Sequence, residues 1–200
     1  MQTATQTFRA RQAPQRLWLA LGFSLLLAGL FTGSGLADEL QAWAVLRTCA
    51  DEPLRIGQAF LSERPSAEGV KVVDIVIQVR RGLAPGQHAV HIHEAGECLP
   101  CDAAGGHFDP GPNSNPSPDD NHPFHSGDLV NLAINDQGVG ILFTTTSRVT
   151  LSEGPLSVFD ADNSTVIIHV DPDTYCPDGP VPGCAGGERA ACGVIRRVSE

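Results

Sequence analysis

The sequence predicts an all-β fold, an eight-stranded antiparallel sandwich or barrel carrying two long functional loops. Three observations predict it. Runs rich in β-branched residues recur between Gly, Pro, Asn or Asp; no stretch shows convincing 3.6-residue periodicity; and 21 Gly with 15 Pro are too many for a helical bundle. With 200 residues, 42% of them hydrophobic, the chain can bury one ordinary core but hardly two, so one folded domain is expected.

Taken in order, short runs at 43–48 and 56–62 open the series. The run at 70–79 is the densest in β-branched residues, and 87–94, 128–134, 139–146, 165–170 and 192–198 complete the set. Two segments resist the pattern. Residues 99–121 and 171–189 are long, rich in Pro, Gly and Asp, and poor in β-branched residues. Loops of that length in a compact domain usually carry function. No internal repeat is visible.

Residues 1–37 read as a secretory signal peptide, leaving 38–200 as the mature domain. Arg9, Arg11 and Arg16 precede an apolar run at 17–31, and Gly35 and Ala37 place small side chains at −3 and −1 of a cleavage point before Asp38. The competing reading is an uncleaved anchor, but Thr32, Gly33 and Ser34 interrupt the run before the roughly 20 residues that a spanning helix needs. Export to a periplasm or the cell exterior, with or without membrane association, is therefore expected. Thirteen Lys and Arg against 23 Asp and Glu give −10; without the three leader arginines the balance is 10 against 23, or −13. Such a surface repels nucleic acid and anionic lipid.

All six cysteines, at 49, 98, 101, 176, 184 and 192, lie in the mature part, an even count that fits an oxidising compartment and up to three disulfides. Cys98 and Cys101 have redox-motif spacing but lack the helix-starting context of such motifs, so structural bridges are the better reading. Cys176 and Cys184 bracket a Pro/Gly-rich loop that a local bridge can close.

Seven histidines stand at 88, 91, 93, 107, 122, 125 and 169. In a strand, residues i and i+2 share a face, so His91 and His93 present two imidazoles side by side, as a metal site requires. Alone, a His-x-His is more often surface decoration. His107, the His122, His125 and Asp128 run, and His169 within an apolar strand make the joint case much stronger. All-imidazole ligation suits copper, and imidazole with carboxylate suits zinc.

These residues fall into five ordered blocks: 82–94 (GLAPGQHAVHIHE), 101–110 (CDAAGGHFDP), 125–129 (HSGDL), 168–169 (IH) and 189–195 (RAACGVI). Together they resemble copper/zinc superoxide dismutases of the exported bacterial kind. The resemblance implies a Greek-key fold, copper and zinc as cofactors, and superoxide as substrate. It implies His91, His93, His107 and His169 as copper ligands, with His107 also bridging to zinc, and His125 and Asp128 as zinc ligands. Asp173 matches the carboxylate that orients the ligand rings. Arg189 matches a guanidinium beside the copper that attracts the anion. His88 matches a hydrogen-bonding, non-ligand histidine. Cys101–Cys192 matches the family disulfide; Cys49–Cys98 with Cys176–Cys184 would then leave no thiol free.

Two departures stand out. Eight residues after His107, where the family carries another zinc histidine, this chain has Asn115. Either His122 replaces it, or zinc binds weakly or not at all. Ala89 replaces a usual glycine and lacks its backbone freedom. The resemblance implies that Cu(II) oxidises one superoxide to dioxygen, while His107 releases copper and takes up a proton, and that a second superoxide leaves as hydrogen peroxide. A non-enzymatic copper-binding or copper-delivery module is the alternative; such a carrier needs no anion-docking arginine, so Arg189 with the full ligand set favours the enzyme. Dimer contacts leave no sequence signature, and a homodimer stays open.

Overall fold

The structure, a computed structural model, describes residues 39–110, 125–177 and 181–198. The expected signal peptide at 1–37, Asn115 and the candidate zinc ligand His122 lie outside the described residues.

The strands are β1 (Gln41–Thr48), β2 (Arg55–Pro65), β3 (Lys71–Val79), β4 (Gly86–His88), β5 (Val90–His93), β6 (Leu132–Ile134), β7 (Gly140–Thr146), β8 (Thr165–His169), β9 (Arg189–Val194) and β10 (Arg196–Arg197). A 3-10 turn at Cys101–Ala104 is the one helical element among the described residues. The larger sheet runs β5-β8-β9-β1-β2-β3-β7, with β10 on β1, and every named pair is antiparallel. β4 and β6 form a second, two-stranded sheet. The all-β antiparallel expectation is met, and each of the eight expected runs contains strand.

Alternation builds the β1–β3 half. Ala42, Ala44 and Leu46 of β1, Ala59 and Leu61 of β2, and Val73, Ile75, Ile77 and Val79 of β3 point into one core, and their neighbours point outward. β5 and β8 differ, because all their residues are buried. Val90, Ile92, Val166 and Ile168 join the core, and the other face is covered by the described parts of the two long loops.

Three expected strands have different limits, each for a tertiary reason. The run at 87–94 splits at Ala89, whose N–H donates to Asp171 O (2.8 Å) while its carbonyl accepts from His169 N–H (2.9 Å); here the chain leaves β6 for β8. The run at 128–134 keeps only Leu132–Ile134 as strand, since 125–131 wraps the histidine cluster instead. The run at 192–198 becomes β9, which starts earlier at Arg189, and β10. Ala89 costs no distortion: its methyl faces Gly186, where an added Cβ would meet it at 2.5 Å.

The disulfides correct the expected pairing. Cys101 bonds to Cys49 and Cys192 to Cys98, each with a Cα–Cα distance of 5.6 Å, and Cys176 bonds to Cys184. Cys101–Cys192 and Cys49–Cys98 are therefore not formed. The seam between β1 and β9 explains the exchange. Cys192 lies opposite Arg47, and Cys49 N–H donates to Ala190 O at 3.0 Å, so both half-cystines face the same loop. The short turn from Cys98 to Cys101 lays its first cysteine on β9 and its last on the end of β1. The metal-site loop is still pinned to β9, and additionally to β1.

Candidate metal centre

β5 supplies His91 and His93, both with no exposed surface, and β8 ends at His169, where a register shift pairs it with Arg189. The loop after the 3-10 turn returns to β5 through an antiparallel bridge between His93 and His107, and a second bridge joins His91 to Asp128. Gly127 permits that approach; a Cβ there would stand 2.2 Å from Ile92 O. One ring nitrogen from each of His91, His93, His107 and His169 lies within 4.8 Å of the others. A first-row ion bound at about 2 Å needs these nitrogens only slightly closer.

The opposite ring nitrogens explain why these four are available. His93 Nδ1–H donates to Gly105 O at 3.0 Å and His169 Nδ1–H to Gly187 O at 2.9 Å. His91 Nε2–H donates to Asp173 Oδ2 at 2.9 Å, and His107 Nδ1–H to Asp128 Oδ1 at 2.7 Å. Each such bond leaves a lone pair on the other nitrogen. Those atoms, His91 Nδ1, His93 Nε2, His107 Nε2 and His169 Nε2, are buried without a hydrogen-bond partner. Buried polar atoms are normally satisfied, and four orphaned lone pairs facing one another are what a cation requires.

A second group adjoins the first. His107, His125 and Asp128 bring one ligand atom each within 4.8 Å, all buried, so His107 belongs to both groups. Asp128 Oδ1 accepts from His107, and its Oδ2 accepts the backbone N–H of His125 at 2.9 Å and lies 3.5 Å from His125 Nδ1. Arg148 donates to Asp128 O, holding the residue from its backbone side.

Burial governs the electrostatics. Desolvation, followed by repulsion from His107, pushes His91 and His93 well below the usual histidine value. Desolvation lowers His169 to about 4. Burial alone would raise Asp128, but hydrogen bonds from His107 and His125 outweigh it and hold the carboxyl far below its usual range. Burial opposes protonation of His125, and the Asp128 hydrogen bond overrides it, raising that ring. Neutral imidazoles beside an ionised carboxylate are the forms that bind metal.

Arg189 is half-buried at the edge of the four-histidine group. Its Nη1 donates to Cys101 O at 2.7 Å and its Nη2 to Gly105 O, the carbonyl that also takes His93 Nδ1–H. Asp102 Oδ1 lies 3.9 Å from Nε and is nearly fully exposed, a weak screened partner. The Cys49–Cys101 bridge thus fixes one anchor of the guanidinium. His88 places Nδ1 2.7 Å from His169 O and Nε2 2.9 Å from Ala84 O, a hydrogen-bonding position outside both groups.

A family model described as copper/zinc superoxide dismutase (SODC) matches residues 56–195. The chain belongs to this family. It is 33% identical over 177 residues to a Cu-Zn superoxide dismutase of Legionella pneumophila, covering 88% of this chain and 98% of the relative. It is 34% identical over 177 residues to Cu-Zn superoxide dismutase 2 of Aquifex aeolicus, covering 86% and 96%. Among solved structures, a SOD-like protein from Bacillus subtilis superposes with a TM-score of 0.57 at 27% identity, covering 76% of this chain and 96% of that one. A double mutant of that protein gives 0.60 at 30% identity, covering 76% and 95%.

Several supporting residues escape sequence reasoning. Gly105 and Gly187 act through carbonyl oxygens, which every residue has. Asn131 clamps Asp173: its Nδ2 donates to Asp173 O at 2.9 Å, and its Oδ1 accepts Asp173 N–H at 2.8 Å. Nothing at the sequence level singles out an Asn between Val130 and Leu132.

Proposed function

We propose that the protein dismutates superoxide, converting two anions and two protons to dioxygen and hydrogen peroxide, with copper held by His91, His93, His107 and His169 and zinc by His107, His125 and Asp128. The observation that carries this reading is the set of four orphaned imidazole nitrogens with Arg189 at their edge. Bound copper supplies the two oxidation states needed to take an electron from one superoxide and return it to another, whereas zinc, with one state, gives structural and electronic support.

The chain's own residues do the rest. Gly105, Gly187 and Asp173 fix the proton on the far side of His93, His169 and His91, so the lone pairs stay aimed inward. His107 would serve both metals only as an imidazolate, giving up the Nδ1–H that Asp128 accepts, and its inward-facing Nε2 would be the atom that takes up and returns a proton. Arg189 supplies the local positive charge that an acidic protein needs to draw in and hold an anion. This docking group favours the enzyme over a copper carrier. His122 is the residue we assign as further zinc ligand.

Three disulfides among the described residues support export to an oxidising compartment, periplasmic or extracellular. We assign 1–37 as a cleaved leader on Arg9, Arg11 and Arg16 before the apolar run at 17–31; among the described residues no helix is long and apolar enough to cross a membrane. A homodimer is the assembly we infer, through the outer row Trp43, Phe60, Val76 and Phe143, aligned across β1, β2, β3 and β7 and exposing Trp43, Phe60 and Phe143. Sedimentation that shows a monomer at tens of micromolar sinks that assembly.

The functional test is superoxide removal by residues 38–200, with and without copper. Copper-dependent removal that falls by more than about a hundredfold in His169→Ala is expected. Equal rates without copper would reject the enzyme.

A further inference from the structure

Beyond the His169 and Arg189 pair that ends their ladder, the chains leaving β8 and entering β9 keep running antiparallel. Val170 N–H donates to Glu188 O at 2.8 Å, Asp171 N–H to Gly186 O at 3.0 Å, Asp173 bridges Ala185, and Thr174 N–H donates to Cys184 O at 2.9 Å. The Cys176–Cys184 disulfide closes this extension at its far end. The two arms each carry one of the ring acceptors described above. Asp173, three residues before Cys176, takes His91 Nε2–H; Gly187, three residues after Cys184, takes His169 Nδ1–H.

The backbone beside the bridge is strained. Tyr175 and Cys176 have φ of 58° and 41°, a region that non-glycine residues occupy only when their surroundings hold them there. This conformation turns Tyr175 N–H onto Asp173 Oδ1 at 2.7 Å, which leaves Oδ2 for His91. Gly186 packs against His169 on the other arm, where a Cβ would stand 2.7 Å from the histidine Cβ.

We propose that the Cys176–Cys184 bridge is a positioning element of the copper-facing imidazoles, holding Tyr175 and Cys176 left-handed so that Asp173 fixes the ring of His91 and the Gly186–Gly187 turn fixes that of His169. The proposal rests on the copper reading above, because its purpose is to aim those lone pairs at an ion.

The test uses the metal-free protein. In Cys176→Ser with Cys184→Ser, the His91 Nε2–H resonance in nitrogen-15 NMR is expected to be lost to solvent exchange as the ring samples both tautomers. His93, whose acceptor Gly105 lies on the other loop, keeps its Nδ1–H. Cu(II) affinity measured against a competing chelator falls about tenfold, the usual scale for losing a ring-orienting partner. Adding Tyr175→Gly, which enters positive φ freely, restores the His91 proton and part of the affinity. If the double serine variant does not fold, Cys176→Gly with Cys184→Ser removes the bridge while letting residue 176 keep its conformation, and the same His91 loss, in smaller measure, is expected. A retained His91 proton with unchanged affinity overturns the proposal, as does equal loss at His91 and His93, which would mean general loosening. A parent protein that binds copper without dismutating superoxide would fail the functional reading and leave these NMR outcomes standing.

Discussion

The two metal groups share His107, yet they are built differently. The copper group draws His91, His93 and His169 from β5 and β8, and its rings are aimed by acceptors on two loops, Gly105 on one and Asp173 and Gly187 on the other. The zinc group draws His125 and Asp128 from a four-residue stretch of loop and is organised by one carboxylate, with Asp128 between two imidazoles. Backbone architecture therefore presets the copper lone pairs, whereas charge assembles the zinc ligands. Damage to single residues should be felt differently in the two.

Asp128→Asn should produce the largest change. It replaces the ionised acceptor of the His107 Nδ1–H and His125 backbone N–H hydrogen bonds by a neutral amide in a buried setting, and losing a hydrogen bond to a charged group costs about 1.5–3 kcal/mol. Calorimetry of the metal-free variant is expected to show a clear drop in Tm together with loss of zinc, while a preset copper group keeps its ion; an unchanged Tm would mean that charge does not organise the zinc side.

Acid should act on both groups in the metal-free protein. The folded-state values of His91, His93 and His169 lie below the unfolded value of about 6.5, so the unfolded chain binds more protons below that pH. Stability is therefore complete above about 6.5 and is lost as pH falls toward about 4, the folded value of His169. The depressed Asp128 adds a further loss at still lower pH. His125, raised in the fold, works in the opposite direction, one ring against three. Denaturant midpoints that stay flat between pH 7 and 4 would contradict the buried neutral imidazoles.

Arg189→Ala should be milder. It leaves every proposed ligand in place and removes the docking charge together with its hydrogen bonds to Cys101 O and Gly105 O, while Gly105 O still accepts His93 Nδ1–H, so copper stays bound, turnover slows about tenfold, and the dependence on ionic strength flattens. Unchanged kinetics would deny the guanidinium any part in guiding the anion.

Much of this was legible in the sequence because it is written in side chains of fixed period. β1 to β3 alternate, and His91 with His93 sit two apart on one strand face. What escaped has no side-chain signature. The acceptors at Gly105 and Gly187 are backbone carbonyls, and Ala89 ends β4 because His169 and Asp171 reach it from afar. The disulfide exchange has the same origin. Cys98 and Cys101 stand three apart, and only the meeting of β1 with β9 decides which of them faces Cys49 and which Cys192. That arrangement also disposes of the redox-motif reading, since the two belong to different bridges.

The most direct measurement is metal analysis with electron spin resonance on residues 38–200 after Cu(II) and Zn(II) loading. The account predicts one copper and one zinc per chain, with a cupric signal split by histidine nitrogens and lost in His91→Ala. A folded protein that holds no copper, or whose cupric signal survives His91→Ala unchanged, would contradict it.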